Sequence, residues 1–227
     1  FKKMFSFALP FLPSALLFIV IGFSDRWFIK WYLDLHAVGL YGAGYKLGSI
    51  MGLAVTAFNL NWQPYYLKQK YNRKYKFGKI GSNIIIILIA VFTLLVLAYE
   101  YFIYINIGGY YLIGQHFWGG LAVVPFVALG YLFYGIYIIN MPSLYLKNKQ
   151  NWGLVFWSFG ALINIAGNIA LIPILGILGA SIATAVAYFV MMAMMVMKNR
   201  VWLPIKFAVV PITMIACISF LLIIIKF

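Results

Sequence analysis

The chain has 227 residues, 66% of them hydrophobic and 9% charged, and a formal net charge of +14. Soluble domains run at about 45–50% apolar and about 25% charged residues, and a unit of this size keeps too much surface to hide such an excess from water. Lipid is therefore the solvent for most of the surface, and the positive charge does not point to nucleic acid, because the basic residues lie between apolar stretches and form no separate domain.

An apolar helix needs about 20 residues to cross about 30 Å of hydrocarbon. The expected spans, in chain order, are 6–31, 38–62, 82–105, 119–144, 153–174, 177–197 and 206–225. Each is too long for a membrane strand and lacks a period of two, so helices are expected and not a barrel. No polar segment is long enough for a second domain. The expected fold is an all-α, polytopic membrane bundle of seven helices forming one unit over residues 1–227. The chain begins at Phe1, and we expect it to be a piece of a longer protein.

The basic residues alternate between the connections. Lys2 and Lys3 precede the first span. Lys68, Lys70, Arg73, Lys74, Lys76 and Lys79 follow the second, Lys147 and Lys149 the fourth, and Lys198, Arg200 and Lys206 the sixth. The connections around 108–119 and 175–179 have no Lys or Arg. By the positive-inside rule the N-terminus is cytoplasmic and the C-terminus is outside. Trp27, Trp31, Tyr32, Trp62, Tyr65, Tyr66, Trp118, Trp152 and Trp202 stand near span ends, as interfacial belts require. The basic connection 68–79 also suits anionic lipid, although topology alone accounts for it.

Charge inside the first two spans is the chemically informative feature. A hairpin reversing near residues 35–36 brings Asp25 and Lys46 to one level, roughly 10–15 Å from the turn at 1.5 Å per residue. Arg26 lies at the same level, about 100° around its helix. One carboxylate does not neutralise two cations. Two readings follow: a cationic wall of a water-filled cavity that holds a phosphate or other anion, or an Asp25–Lys46 tether with Arg26 and Lys30 snorkelling to the outer surface. Gly44, Gly48 and Gly52 form a small-residue ridge for close helix packing, and Lys46 projects from nearly the opposite side, where a cavity is cheaper than lipid.

Asn164 and Asn168, four residues apart, share one helix face. They can bond between helices or line a polar path. The candidate substrate-binding residues are thus Arg26, Lys46, Asp25, Asn164 and Asn168. Glu100 and His116 lie at the outer end of the third span and beyond it. Cys217 is alone, so an intrachain disulfide is excluded. With three acids, Asp25, Asp34 and Glu100, and two histidines, His36 and His116, no catalytic or metal-binding motif is present. An enzyme is not expected, and neither is a tightly bound cofactor.

The runs Ser24-Asp25-Arg26-Trp27-Phe28, Ala37-Val38-Gly39-Leu40-Tyr41, Tyr45-Lys46-Leu47-Gly48 and Trp62-Gln63-Pro64 resemble the polysaccharide transporter family, within the multidrug/oligosaccharidyl-lipid/polysaccharide exporter superfamily. The later residues Asn164, Asn168, Leu171-Ile172-Pro173, Gly176-Ile177, Gly179-Ala180 and Ala183-Thr184 are similar to the same family's later helices. The resemblance implies the second bundle of a two-bundle transporter plus one helix, whose partner is the N-terminal bundle of the same protein. It implies flipping of an undecaprenyl-diphosphate-linked oligosaccharide across the bacterial inner membrane by alternating access, for cell-surface polysaccharides such as O-antigen. It also implies coupling to a proton or sodium gradient, for which Asp25 is the only acid deep enough; a salt bridge to Lys46 would count against that role. The rival readings are a cation-coupled multidrug exporter of the same superfamily, a membrane-embedded glycan polymerase or ligase, and a structural membrane subunit.

Overall fold

The computed structural model describes residues 11–68, 74–108 and 110–226. The helices are α1 (Phe11–Tyr32), α2 (Leu35–Gly48), α3 (Ile50–Lys68), α4 (Lys74–Ala98), α5 (Val124–Ile139), α6 (Pro142–Leu146), α7 (Asn151–Leu175), α8 (Ile177–Trp202) and α9 (Val209–Lys226). Tyr99–Tyr104 extends α4 as a 3₁₀ turn, and Gln115–Val123 leads into α5 in the same way. Between them the two-residue strands Asn106–Ile107 and Tyr110–Tyr111 pair antiparallel. Lys2, Lys3, Lys70, Arg73 and the start of the first expected span lie outside the described residues.

Among the described residues, four helical stretches are long and apolar enough to cross a bilayer: Lys76–Tyr104, Gln115–Leu146, Asn151–Leu175 and Ile177–Trp202. Val209–Ile225 is a shorter apolar helix. The described parts of the first two expected spans are helical but are not among these. α1 carries Asp25, Arg26 and Lys30, and the second is divided at Ser49 between α2 and α3. Large apolar side chains point outward all along the bundle, with Trp27 81% and Ile225 80% exposed. Such a surface belongs in lipid. The molecule is a helical membrane protein.

The first hairpin turns earlier than the sequence suggested. Asp34 is extended, and its Oδ1 accepts from the Ala37 backbone N–H at 2.7 Å, so it caps α2. The reversal is at Leu33–Asp34, ahead of residues 35–36. The α7–α8 turn is a single residue, Gly176, at φ 59° and ψ −138°, a conformation that costs glycine little and other residues much. The connection expected around 175–179 is therefore found.

Packing follows the glycine ridge on α2 and the start of α3. A Cβ on Gly44 would collide with the Gly120 carbonyl oxygen, and one on Gly48 or Gly52 would strike Val127 or Tyr131. The ridge is thus the seam against the Gln115–Val123 segment and α5. α8 packs against both α5 and α7, and α1 lies on α7. The main core is aromatic, built on Trp62, Tyr66, Phe77, Tyr137, Phe156 and Tyr188, all nearly or fully buried.

The two ends of the bundle differ in charge. At one end Ser82 Oγ accepts from the Ala208 N–H at 2.8 Å, Asn199 bonds Asn140 at 2.7 Å, and Trp152 faces Trp202 at 5.5 Å. These contacts gather the second, fourth and sixth connections, with Lys68, Lys76, Lys79, Lys147, Lys149, Lys198, Arg200 and Lys206. At the other end Gly120 meets Leu40, and Leu33 approaches Gly176. That end collects the connections without Lys or Arg around 108–119 and 175–179, together with the first hairpin.

Candidate functional site: a buried carboxylate, a clamped arginine and an open lysine cavity

Asp25 is fully buried. Four side chains donate to it. Tyr41 Oη reaches Oδ2 at 2.6 Å and Thr184 Oγ1 reaches Oδ2 at 2.7 Å. Asn168 Nδ2 reaches Oδ1 at 2.9 Å and Asn164 Nδ2 reaches it at 3.3 Å. Asn164 Nδ2 also bonds Thr184 Oγ1 at 3.0 Å, and its Oδ1 accepts from Ser24 Oγ at 2.8 Å. The cluster joins α1, α2, α7 and α8. Among the described residues no cation lies within ion-pair distance of the carboxylate; its direct partners are these four donors. An acid taken out of water without a counter-charge is expensive, and four hydrogen bonds offset that cost.

The elements explain the convergence. Tyr41 stands as far beyond Leu33 as Asp25 stands before it, so the hairpin brings them level. Thr184 and Asn168 are equidistant from Gly176, so the second tight turn levels them too. Asn164 is one helical turn from Asn168 on the same face of α7. The Asp25–Lys46 pairing considered from the sequence is not formed, because the turn comes earlier and gives Asp25 a tyrosine partner. Tyr41, Thr184 and Ser24 complete the cluster and were not among the sequence candidates. Placing both turns correctly would have found the first two.

Arg26 is held against its own helix and aromatic rings, and it is not among the residues lining the cavity that holds Lys46. Its Nη1 donates to the Gly22 carbonyl at 2.9 Å, one turn back along α1. Its guanidinium lies 4.7 Å from the Tyr45 ring centre, 5.4 Å from Phe23 and 5.9 Å from Tyr41. Cation–π contacts of this kind hold an arginine where water is scarce. Tyr45 in turn shares a hydrogen bond with Tyr131 at 2.9 Å.

Lys46 is exposed and lines an open cavity of about 610 Å³ with Gly39, Gly42, Ala43, Leu47, Leu112–Gly114 and Phe117. It faces away from the glycine ridge. Among the described lining residues it is the only charge.

The site's chemistry follows from its donors. Asp25, Ser24, Asn164, Asn168 and Thr184 offer oxygen ligands, which suit hard cations such as Na⁺ and do not suit zinc or copper. Among the described residues no three His, Cys, Asp or Glu side chains form a metal-ligand group. Asn168 Oδ1 is buried without a partner. Turning the two amides about χ2 would exchange their N–H donors for oxygens facing the carboxylate.

Fold and site together define a helical membrane protein with a deeply buried acid shared by four helices. Comparison of the chain with models of known protein families, with curated proteins and with solved structures returns no significant match.

Proposed function

We propose that this chain is the C-terminal bundle of a transporter that flips an undecaprenyl-diphosphate-linked oligosaccharide from the cytoplasmic to the outer leaflet by alternating access. The seven helical stretches, with the basic end of the bundle in the cytoplasm of a bacterial inner membrane, are part of this reading. Lys46 and Arg26 are its diphosphate-binding residues and the Asp25 cluster is its coupling site. A proton or Na⁺ that neutralises Asp25 changes what Tyr41, Asn164, Asn168 and Thr184 bond to, and so biases how α1, α2, α7 and α8 pack.

The observation that carries the reading is the full burial of Asp25, held by four neutral hydrogen-bond donors and with no cation among the described residues within ion-pair distance. Lys46 is free of Asp25, so the objection that a salt bridge would occupy the coupling acid does not arise. A multidrug exporter of the same superfamily fits less well, because a cationic drug needs an acid on an open cavity. Here the open cavity carries Lys46 and the acid is sealed.

The test uses the complete protein. Lys46→Ala and Arg26→Ala are expected to reduce glycan export about tenfold each, the scale of losing one charge-assisted contact, with membrane insertion unchanged. Normal export in both variants overturns the anion-site reading.

A further inference from the structure

A second cavity, of about 560 Å³, lies at the basic end of the bundle. Its wall contains Asn140, Asn199, Arg200 and Lys206 together with the apolar Val196, Ile205, Phe207 and Val209. It sits where α5 and α8 end and the 203–208 connection crosses to α9. The connection is pinned there. A Cβ on Gly78 would collide with the Lys206 carbonyl oxygen, and Ser82 Oγ holds the Ala208 N–H while donating to the Gly78 carbonyl. The cavity is therefore built into the fold and does not depend on a loose loop.

Its chemistry is one-sided. Arg200 and Lys206 are both exposed, and among the described residues neither has an acidic partner. The chain's three acids are elsewhere: Asp25 on α1, Asp34 at the cap of α2 and Glu100 beyond α4. Lys198, on the same helix as Arg200, is engaged differently, with its Nζ 4.2 Å from the Trp152 ring centre. Asn199 is 4% exposed; its Nδ2 bonds Asn140, and its Oδ1 is buried with no partner.

We infer that this cavity binds the headgroup of an anionic membrane phospholipid, with its phosphodiester between Arg200 and Lys206 and a headgroup hydroxyl beside Asn199. Basic pockets between helices at a membrane surface attract such headgroups. The apolar half of the wall distinguishes a lipid from a free anion, because Val196, Ile205, Phe207 and Val209 give the glycerol backbone and the first methylenes a surface that inorganic phosphate does not use. The inference rests on the membrane location alone and stands whether or not the chain flips a glycan.

Native mass spectrometry of the purified chain, with phosphatidylglycerol or phosphatidylcholine added to the detergent, tests it. The wild type is expected to retain phosphatidylglycerol preferentially. The double variant Arg200→Gln/Lys206→Gln is expected to retain about thirtyfold less, since each basic residue near an anionic surface contributes about 1 kcal/mol. Lys198→Gln, which removes one positive charge from the same helix outside the cavity, is expected to match the wild type. Equal loss in Lys198→Gln would mean general charge attraction and overturn the site. Equal retention of the two lipids by the wild type, or displacement of phosphatidylglycerol by millimolar inorganic phosphate, would overturn it as well. A melting temperature within about 2 °C of the wild type for the double variant shows that it has folded; a larger fall is answered by Arg200→Lys, expected to retain the lipid.

Discussion

Asn168 Nδ2 lies 2.9 Å from Asp25 Oδ1, although the two residues are 143 positions apart in the chain. The bond ties the first helix to the fifth expected span, and with Tyr41 and Thr184 it makes one carboxylate the junction of four helices. Removing it strands two donors at once. Asp25→Ala is expected to destabilise the bundle far more than Thr184→Val, which deletes a single hydroxyl. The Tyr41 and Thr184 hydroxyls lose their acceptor, while Asn164 and Asn168 keep Thr184 Oγ1 and Asn164 Oδ1; at about 1–3 kcal/mol for each orphaned buried donor, two are a large fraction of the stability of a typical domain. Thermal unfolding in detergent checks this, and equal melting temperatures for the two variants would refute the junction role.

If the cluster takes up a cation, a ligand that binds only the folded state stabilises it by mass action, about 2.7 kcal/mol at one hundred times its dissociation constant. Raising NaCl against choline chloride at constant ionic strength is expected to raise the melting temperature of the wild type. Asp25→Asn is expected to abolish that dependence while remaining folded, since an amide keeps the shape and one acceptor. A sodium response unchanged in Asp25→Asn would exclude Asp25 as the cation's ligand.

The glycine ridge gives a sharper structural prediction because it comes with an internal control. Gly44 faces the Gly120 backbone, and a side chain there has nowhere to go; Gly42, two residues earlier, has nothing within 4 Å of where its Cβ would stand. Gly44→Val is expected to lower the yield of folded protein and its melting temperature, at a cost of several kcal/mol as overpacking requires. Gly42→Ala is expected to be neutral or slightly stabilising, since alanine favours the helix by about 1 kcal/mol. Equal behaviour of the two variants would mean that α2 does not pack as described.

Much of the fold was legible because its signals are additive over many residues. Runs of twenty apolar residues, an alternation of lysines and a ridge of glycines do not depend on where any one turn falls. The site was legible only in part. Asp25, Asn164 and Asn168 stand out as polar residues in apolar surroundings, and they meet. Their partner on α2 depended on placing one turn within two residues: the Asp34 cap moves the reversal to Leu33, which replaces Lys46 by Tyr41. The surroundings of Arg26 were not legible for a different reason. Its stabilisation comes from Tyr45, Phe23 and Tyr41 ring faces, and aromatic residues in a membrane helix look like ordinary lipid-facing bulk until their directions are known.

The alternation of charge between the two ends of the bundle predicts opposite accessibility for two exposed positions. In a Cys217→Ala background, Lys149→Cys sits at the basic end and Leu112→Cys at the end without Lys or Arg connections. Both residues are exposed, so a charged, membrane-impermeant maleimide reaches either one from its own side. In intact cells Leu112→Cys is expected to be labelled and Lys149→Cys protected; permeabilisation is expected to expose Lys149→Cys. The sign follows from the positive-inside rule, which counts short-loop Lys and Arg on the cytoplasmic face. Labelling of both positions in intact cells would mean that the Gln115–Leu146 stretch between them does not cross. Protection of Leu112→Cys with labelling of Lys149→Cys would invert the whole bundle, and would move the Arg200–Lys206 cavity to the outer leaflet.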